Sequence, residues 1–120
     1  MKKVLIVDDA AFMRASIKMM LQGNEFDVVG EAENGKVSIN KYRELQPDIV
    51  TMDITMPDMT GIQALKEIMK LDPKARVVMV SAVGQEPMVK EAILSGAKSF
   101  ILKPFNKELL VETLSKIAAV

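Results

Sequence analysis

Five short apolar runs, each followed by a stretch of helical period, restrict the folds open to this chain more than any other feature. Residues 4–7 form the first run. A helix is predicted over residues 11–22, with Met13, Ile17, Met20 and Leu21 on one face, and Gly23-Asn24 ends it. Residues 27–32 read as a second strand, more polar and so expected at a sheet edge. Asn34 is placed to cap a second helix carrying Ile39, Tyr42 and Leu45, which Pro47 stops. Residues 49–52 form the third run, and Ile62, Leu65, Ile68 and Met69 mark a third helix closed by Asp72-Pro73. Residues 77–80 are the fourth strand, and Met88, Ala92 and Ile93 mark a fourth helix ending at Gly96. Residues 100–102 are a short fifth strand, and Asn106 caps a last helix with Leu110, Leu114 and Ile117 in line.

Repeated βα units with near-continuous apolar strands imply an α/β fold: a doubly wound parallel sheet of five strands with helices on both faces. Periodicity alone leaves the strand order open. Of the common doubly wound orders, five units suit the flavodoxin-like 2-1-3-4-5. The chain has 120 residues, enough for one domain with its own core, so residues 1–120 are expected to be a single unit without a linker or a second module.

Composition removes several kinds of chemistry. There is no cysteine and no histidine, so thiolate, disulfide and imidazole chemistry are closed to this chain, and any metal must sit on oxygen ligands. Lys plus Arg equals Asp plus Glu at 16 each, which gives no bulk attraction to nucleic acid or anionic membrane. The apolar run after Met1-Lys2-Lys3 stops at Asp8, shorter than a signal peptide needs, and nothing approaches the roughly 18 apolar residues of a membrane span. A cytoplasmic protein is expected. The ten methionines read first as adaptable core filler.

The polar residues stand where the strands end. Strand one runs into Asp8-Asp9, strand three into Asp53, strand four into Ser81, and strand five into Lys103-Pro104. Ligands of open α/β sheets bind outside the carboxyl ends of the strands where the order reverses, here between strands one and three. Asp8, Asp9 and Asp53 are expected to converge there, flanked by Ser81 and Lys103. Carboxylates at about 4 Å repel by about 4 kcal/mol per pair at an effective dielectric of 20, more than one lysine offsets. A divalent cation offsets it, and Mg²⁺ suits carboxylates, retained waters and a phosphate oxygen. A phosphate site lined by negative groups makes sense if a carboxylate is the nucleophile. Asp53 stands alone at its strand end and is the expected nucleophile; the pair Asp8-Asp9 is better suited to the metal. Singly, such residues are ordinary: an Asp at a strand end caps a helix, Ser81 fits a turn, and Lys103 fits a surface. Their joint placement is what points to chemistry.

Along essentially its whole length the chain resembles a response-regulator receiver domain, of the chemotaxis kind. The resemblance rests on Val4-Leu5-Ile6-Val7-Asp8-Asp9, on Asp53-Ile54-Thr55-Met56-Pro57-Asp58-Met59-Thr60-Gly61, on Ser81-Ala82 and on Lys103-Pro104-Phe105. That family itself exemplifies the 2-1-3-4-5 order, so the order and the resemblance are one expectation, not two. The resemblance implies that Asp53 accepts a phosphoryl group from the phosphohistidine of a sensor histidine kinase. It implies Mg²⁺, with Mn²⁺ as an alternative, on Asp9, Asp53 and the backbone carbonyl of Thr55, with Asp8 acting mainly through bound water. Lys103 would contact the phosphoryl group, and the Lys103–Pro104 bond would be cis. Ser81 would move to bond a phosphoryl oxygen, and Phe100 would turn into the space vacated. The helix 4–strand 5–helix 5 surface would then change and act on a partner, the flagellar motor switch, with a phosphatase removing the group. Phe100 stands where a Tyr is commoner, and Val83 and Thr55 occupy positions that tune hydrolysis. The chain ends after the fifth helix, so no DNA-binding effector is expected; a monomer is expected as well.

Other readings remain beside it. A sporulation-type phosphorelay intermediate is the second choice within the family, as is a receiver cut from a longer protein. A haloacid-dehalogenase-like metal-dependent phosphatase also uses an Asp nucleophile, but wants a second Asp where this chain has Thr55. A flavodoxin-like cofactor binder would need a phosphate loop after strand one, where Asp8-Asp9 repels phosphate.

Overall fold

The structure, a computed structural model, describes residues 1–119. Parallel strands β1 (Lys2–Val7), β2 (Phe26–Ala32), β3 (Ile49–Met52), β4 (Val77–Ser81) and β5 (Ser99–Leu102) form one sheet in the order β2-β1-β3-β4-β5. They alternate with helices α1 (Ala11–Leu21), α2 (Gly35–Leu45), α3 (Gly61–Leu71), α4 (Glu86–Leu94) and α5 (Lys107–Ala118). The fold class and the edge position of β2 are as the sequence predicts.

Strand alternation divides the core in two, because successive side chains point to opposite faces. Leu5, Val7, Val50, Met52, Val77 and Met79 pack on one side against Tyr42 of α2, Ile62, Leu65 and Ile68 of α3, and Ala92 of α4. Val4, Ile6, Ile49, Val78, Val80 and Ile101 pack on the other against Ile17 and Leu21 of α1 and Leu110 and Leu114 of α5. Full burial of each such aliphatic side chain is worth about 1.5–3 kcal/mol relative to exposure, so these two layers supply the main favourable term. No helix among the described residues is long and apolar enough to cross a membrane.

Helix ends follow local chemistry. Asn34 and Asn106 accept hydrogen bonds from the amides of Val37 and Leu109, both at 2.8 Å, as predicted for α2 and α5. For α3, Thr60 and Gln63 form a reciprocal capping box at 3.1 and 2.9 Å. A Thr-x-x-Gln spacing before an apolar run signals that device, and the sequence reading passed over it. Element bounds differ from expectation by a residue or two: β1 begins at Lys2, α1 ends at Leu21, and Ser81 belongs to β4. Met88, Ala92 and Ile93, which mark the fourth helix in the sequence, all lie on α4, and Ile93 is 46% exposed. One residue on from buried Ala92 is about 100° around the helix, enough to turn Ile93 outward.

Thr51 is buried in β3, and among the described residues its Oγ1 has no hydrogen-bond partner. A buried hydroxyl without a partner opposes folding by about 1–3 kcal/mol. Thr51→Val keeps the β-branch and removes the hydroxyl. It is expected to raise the unfolding free energy by about 1 kcal/mol in a denaturant titration. A loss of stability would show that the hydroxyl is satisfied.

Candidate functional site

β1 and β3 lie side by side with Val7 opposite Met52, so Asp8 and Asp53 leave adjacent strands at the same level. The Asp53 amide donates to the Val7 carbonyl at 2.9 Å, and the Asp8 amide to Ala32 at 3.1 Å, which fixes both backbones. Asp8 and Asp53 are buried and Asp9 is exposed. One carboxylate oxygen from each of Asp8, Asp9 and Asp53 lies within 4.8 Å of the other two. The predicted convergence is therefore met in the geometry.

Lys103 arrives from the end of β5. Its Nζ stands 2.7 Å from Asp8 Oδ2 and 3.6 Å from Asp53 Oδ1. Its amide donates to the Ser81 carbonyl at 2.9 Å, and the Lys103–Pro104 peptide bond is cis. Asp8 is thus engaged at both oxygens, since Oδ1 accepts the Ala10 amide at 2.9 Å. Asp9 and Asp53 are freer to face a cation.

Burial of Asp53 and the charge of Asp8 push its carboxyl up to about 6, against the opposing pull of Lys103 and of the Ile54 amide that donates to Oδ1 at 2.9 Å. Repulsion from Asp8 and Asp9 thus adds to the cost of burial, and Lys103 offsets only part of it. The donors are all oxygen and carry an excess of negative charge, which fits a hard divalent cation such as Mg²⁺.

Gly61 closes the loop after β3. Its amide donates to the Ile54 carbonyl at 2.7 Å, and a Cβ at this position would overlap the Asp53 carbonyl oxygen. Thr55 lies in that loop with its residue exposed. Ser81 is buried at the end of β4, where its Oγ accepts the Val83 amide at 3.0 Å, so in this structure it acts as a turn residue. Phe100 is half-buried against the core on β5.

Sequence reading missed Arg14. Its guanidinium donates to the Asp8 carbonyl at 2.6 Å and pairs with Glu31 at 3.0 Å, so it braces the loop bearing the acidic pair. The partners lie on the backbone and on another strand, and no spacing along the chain signals them.

Residues 4–115 match the family described as Response regulator receiver domain. The chain is 57% identical over 117 residues to the chemotaxis protein CheY of Thermotoga maritima, spanning 98% of each. It is 57% identical to the chemotaxis protein CheY of Bacillus subtilis over 114 residues, spanning 95% of each. A chain of the CheX–CheY–BeF₃–Mg²⁺ complex from Borrelia burgdorferi superimposes with a TM-score of 0.94 at 38% identity, over 97% of this chain and 88% of that one. With the sheet order and the acidic cleft agreeing with these matches, the chain belongs to the response-regulator receiver family of two-component signalling.

Proposed function

We propose that residues 1–120 act as one phosphoacceptor switch of chemotaxis, in which Asp53 takes a phosphoryl group from a histidine kinase and the product acts on the flagellar motor switch. The observation that carries the chemistry is the meeting of Asp8, Asp9 and Asp53 beside Lys103. The biological setting is supported by relatives named as chemotaxis proteins at 57% identity over nearly the whole chain. The Borrelia complex, which holds Mg²⁺ and BeF₃, supports the same site chemistry.

Asp9, Asp53 and the Thr55 carbonyl would hold the Mg²⁺, with Asp8 reaching it through water. When bound, the ion supplies positive charge that screens anionic oxygens from the carboxylates around them. Asp53 is the attacking group: its carboxylate oxygen bonds to phosphorus as the bond from phosphorus to the imidazole nitrogen breaks. The departing imidazole then takes a proton from solvent. Lys103 offers its ammonium to the phosphoryl oxygens, and Asp8 holds that ammonium in place. Ser81 donates its hydroxyl once it leaves the turn that it forms with Val83. Phosphorylation brings about −1.5 to −2 charges and three acceptor oxygens into this cleft, enough to favour one of two nearly balanced arrangements. Phe100 turning inward would carry the change to α4, β5 and α5.

Incubation with Mg²⁺ and acetyl phosphate tests the chemistry. Intact-mass measurement is expected to show one added phosphoryl group, absent with chelator. Binding to a motor-switch peptide, with and without phosphorylation, tests the output. No mass gain under any divalent cation would overturn the phosphoacceptor, and peptide binding indifferent to phosphorylation would overturn the motor-switch assignment.

A further inference from the structure

The loop between β3 and α3 carries Thr55, the expected backbone ligand; Ile54 and Met56 beside it are buried, while Thr55, Pro57 and Asp58 are exposed, so the outer part of the loop needs a tie of its own. Its base is pinned where the Gly61 amide meets the Ile54 carbonyl. Its far end is pinned by Asp58. One oxygen of this carboxylate accepts the Gly35 amide at 3.0 Å and its neighbour Met59's amide at 2.8 Å; the other accepts the Lys36 amide at 2.8 Å. Gly35 and Lys36 open α2, and the first amides of a helix have no acceptor inside it. The positive end of the helix also favours an anion there. Donation by these amides, that of Lys36 first, holds the Asp58 carboxyl below the usual carboxylate range, so it stays charged. Met59 lies over Gly35 so closely that a Cβ on Gly35 would overlap it, and the loop therefore seats directly on the helix start.

We propose that Asp58 is a positioning residue that ties the β3–α3 loop to the first turn of α2 and so sets the Thr55 carbonyl for Mg²⁺. The inference rests on the proposed reading of Thr55 as a ligand. It differs from a plain helix cap, because α2 already has one in Asn34, whose side chain accepts the Val37 amide. Asp58 is exposed, so replacing it leaves the core intact.

This pair of residues makes the test. Mg²⁺ affinity is measured by calorimetric titration, and amide hydrogen exchange over residues 55–59 is followed in the metal-free protein, for wild type, Asp58→Ala, Asp58→Asn and Asn34→Ala. Asp58→Ala is expected to weaken Mg²⁺ binding about tenfold, as loss of a group that orients a ligand does. It is also expected to speed exchange in the loop, and at saturating Mg²⁺ its labelling rate is expected to recover. Asp58→Asn, which keeps one acceptor oxygen, falls between. Asn34→Ala loses thermal stability but binds Mg²⁺ as wild type does. Equal Mg²⁺ affinity in Asp58→Ala and wild type, or equal weakening in Asp58→Ala and Asn34→Ala, would overturn the role. A wild type that binds no Mg²⁺ would instead strike the proposed function, and loop exchange unchanged in Asp58→Ala would still dispose of the tie.

Discussion

Asp53→Asn is expected to stabilise the metal-free protein by about 3 kcal/mol at pH 7 while abolishing phosphoryl labelling. The folded carboxyl titrates at about 6, against an ordinary value of 3.8. A gap of that size corresponds to about 3 kcal/mol, at about 1.4 kcal/mol per pH unit. Between the two values the folded state holds the proton that the unfolded chain has released. Stability contributed by Asp53 is therefore greatest in acid, declines as pH rises from about 4 to about 6, and stays low above that. Asparagine carries no charge, so the advantage of Asp53→Asn in denaturant titrations should be small near pH 4 and full by pH 7. Saturating Mg²⁺ should close it, because a ligand at a hundredfold excess over its Kd stabilises the wild type by about 2.7 kcal/mol. An advantage that does not change with pH would mean that the acidic cleft is not a repulsive one.

Lys103→Met works in the opposite direction. Lys103 is little exposed and stands 2.7 Å from buried Asp8 and 3.6 Å from buried Asp53, so it offsets part of their charge. Removing one partner of a buried pair leaves the other uncompensated, and a loss of about 3 kcal/mol is expected for the metal-free protein. The same substitution should tighten Mg²⁺ binding, since a competing cation has gone, yet slow labelling by acetyl phosphate about a hundredfold, since an ammonium no longer meets the transferring oxygens. Calorimetry with a labelling time course measures both. Weaker Mg²⁺ binding together with slower labelling would make Lys103 a prop for the metal site and not a group acting on phosphate.

The strands and helices were legible because burial imposes periods of 2 and 3.6, and because Asn34 and Asn106 cap locally, within three residues of their donors. The acidic cleft was legible by a different route. Asp8 and Lys103 are 95 residues apart, and only the rule that ligands gather at strand ends where the order reverses brings them together. The order itself came with the family resemblance, since apolar runs do not reveal which strand lies beside which. Apolar content overstates the inner face of α4, because its residues Ile93 and Leu94 face outward. Arg14 and Asp58 were not legible as braces, because each works by bonding to backbone groups contributed by another segment. Side-chain spacing carries no trace of such contacts. Their identity becomes readable only once the fold has placed a carbonyl or a helix start beside them.

The site of phosphorylation itself is the decisive quantity. An acyl phosphate is reduced by borohydride to the alcohol, so an aspartyl phosphate becomes homoserine at the position that carried it. Protein labelled with acetyl phosphate and Mg²⁺, reduced, digested and sequenced by mass spectrometry, should carry homoserine at Asp53 and keep Asp8 and Asp9 intact. Homoserine at Asp8 or Asp9, or none in protein that has gained a phosphoryl group, would contradict the account.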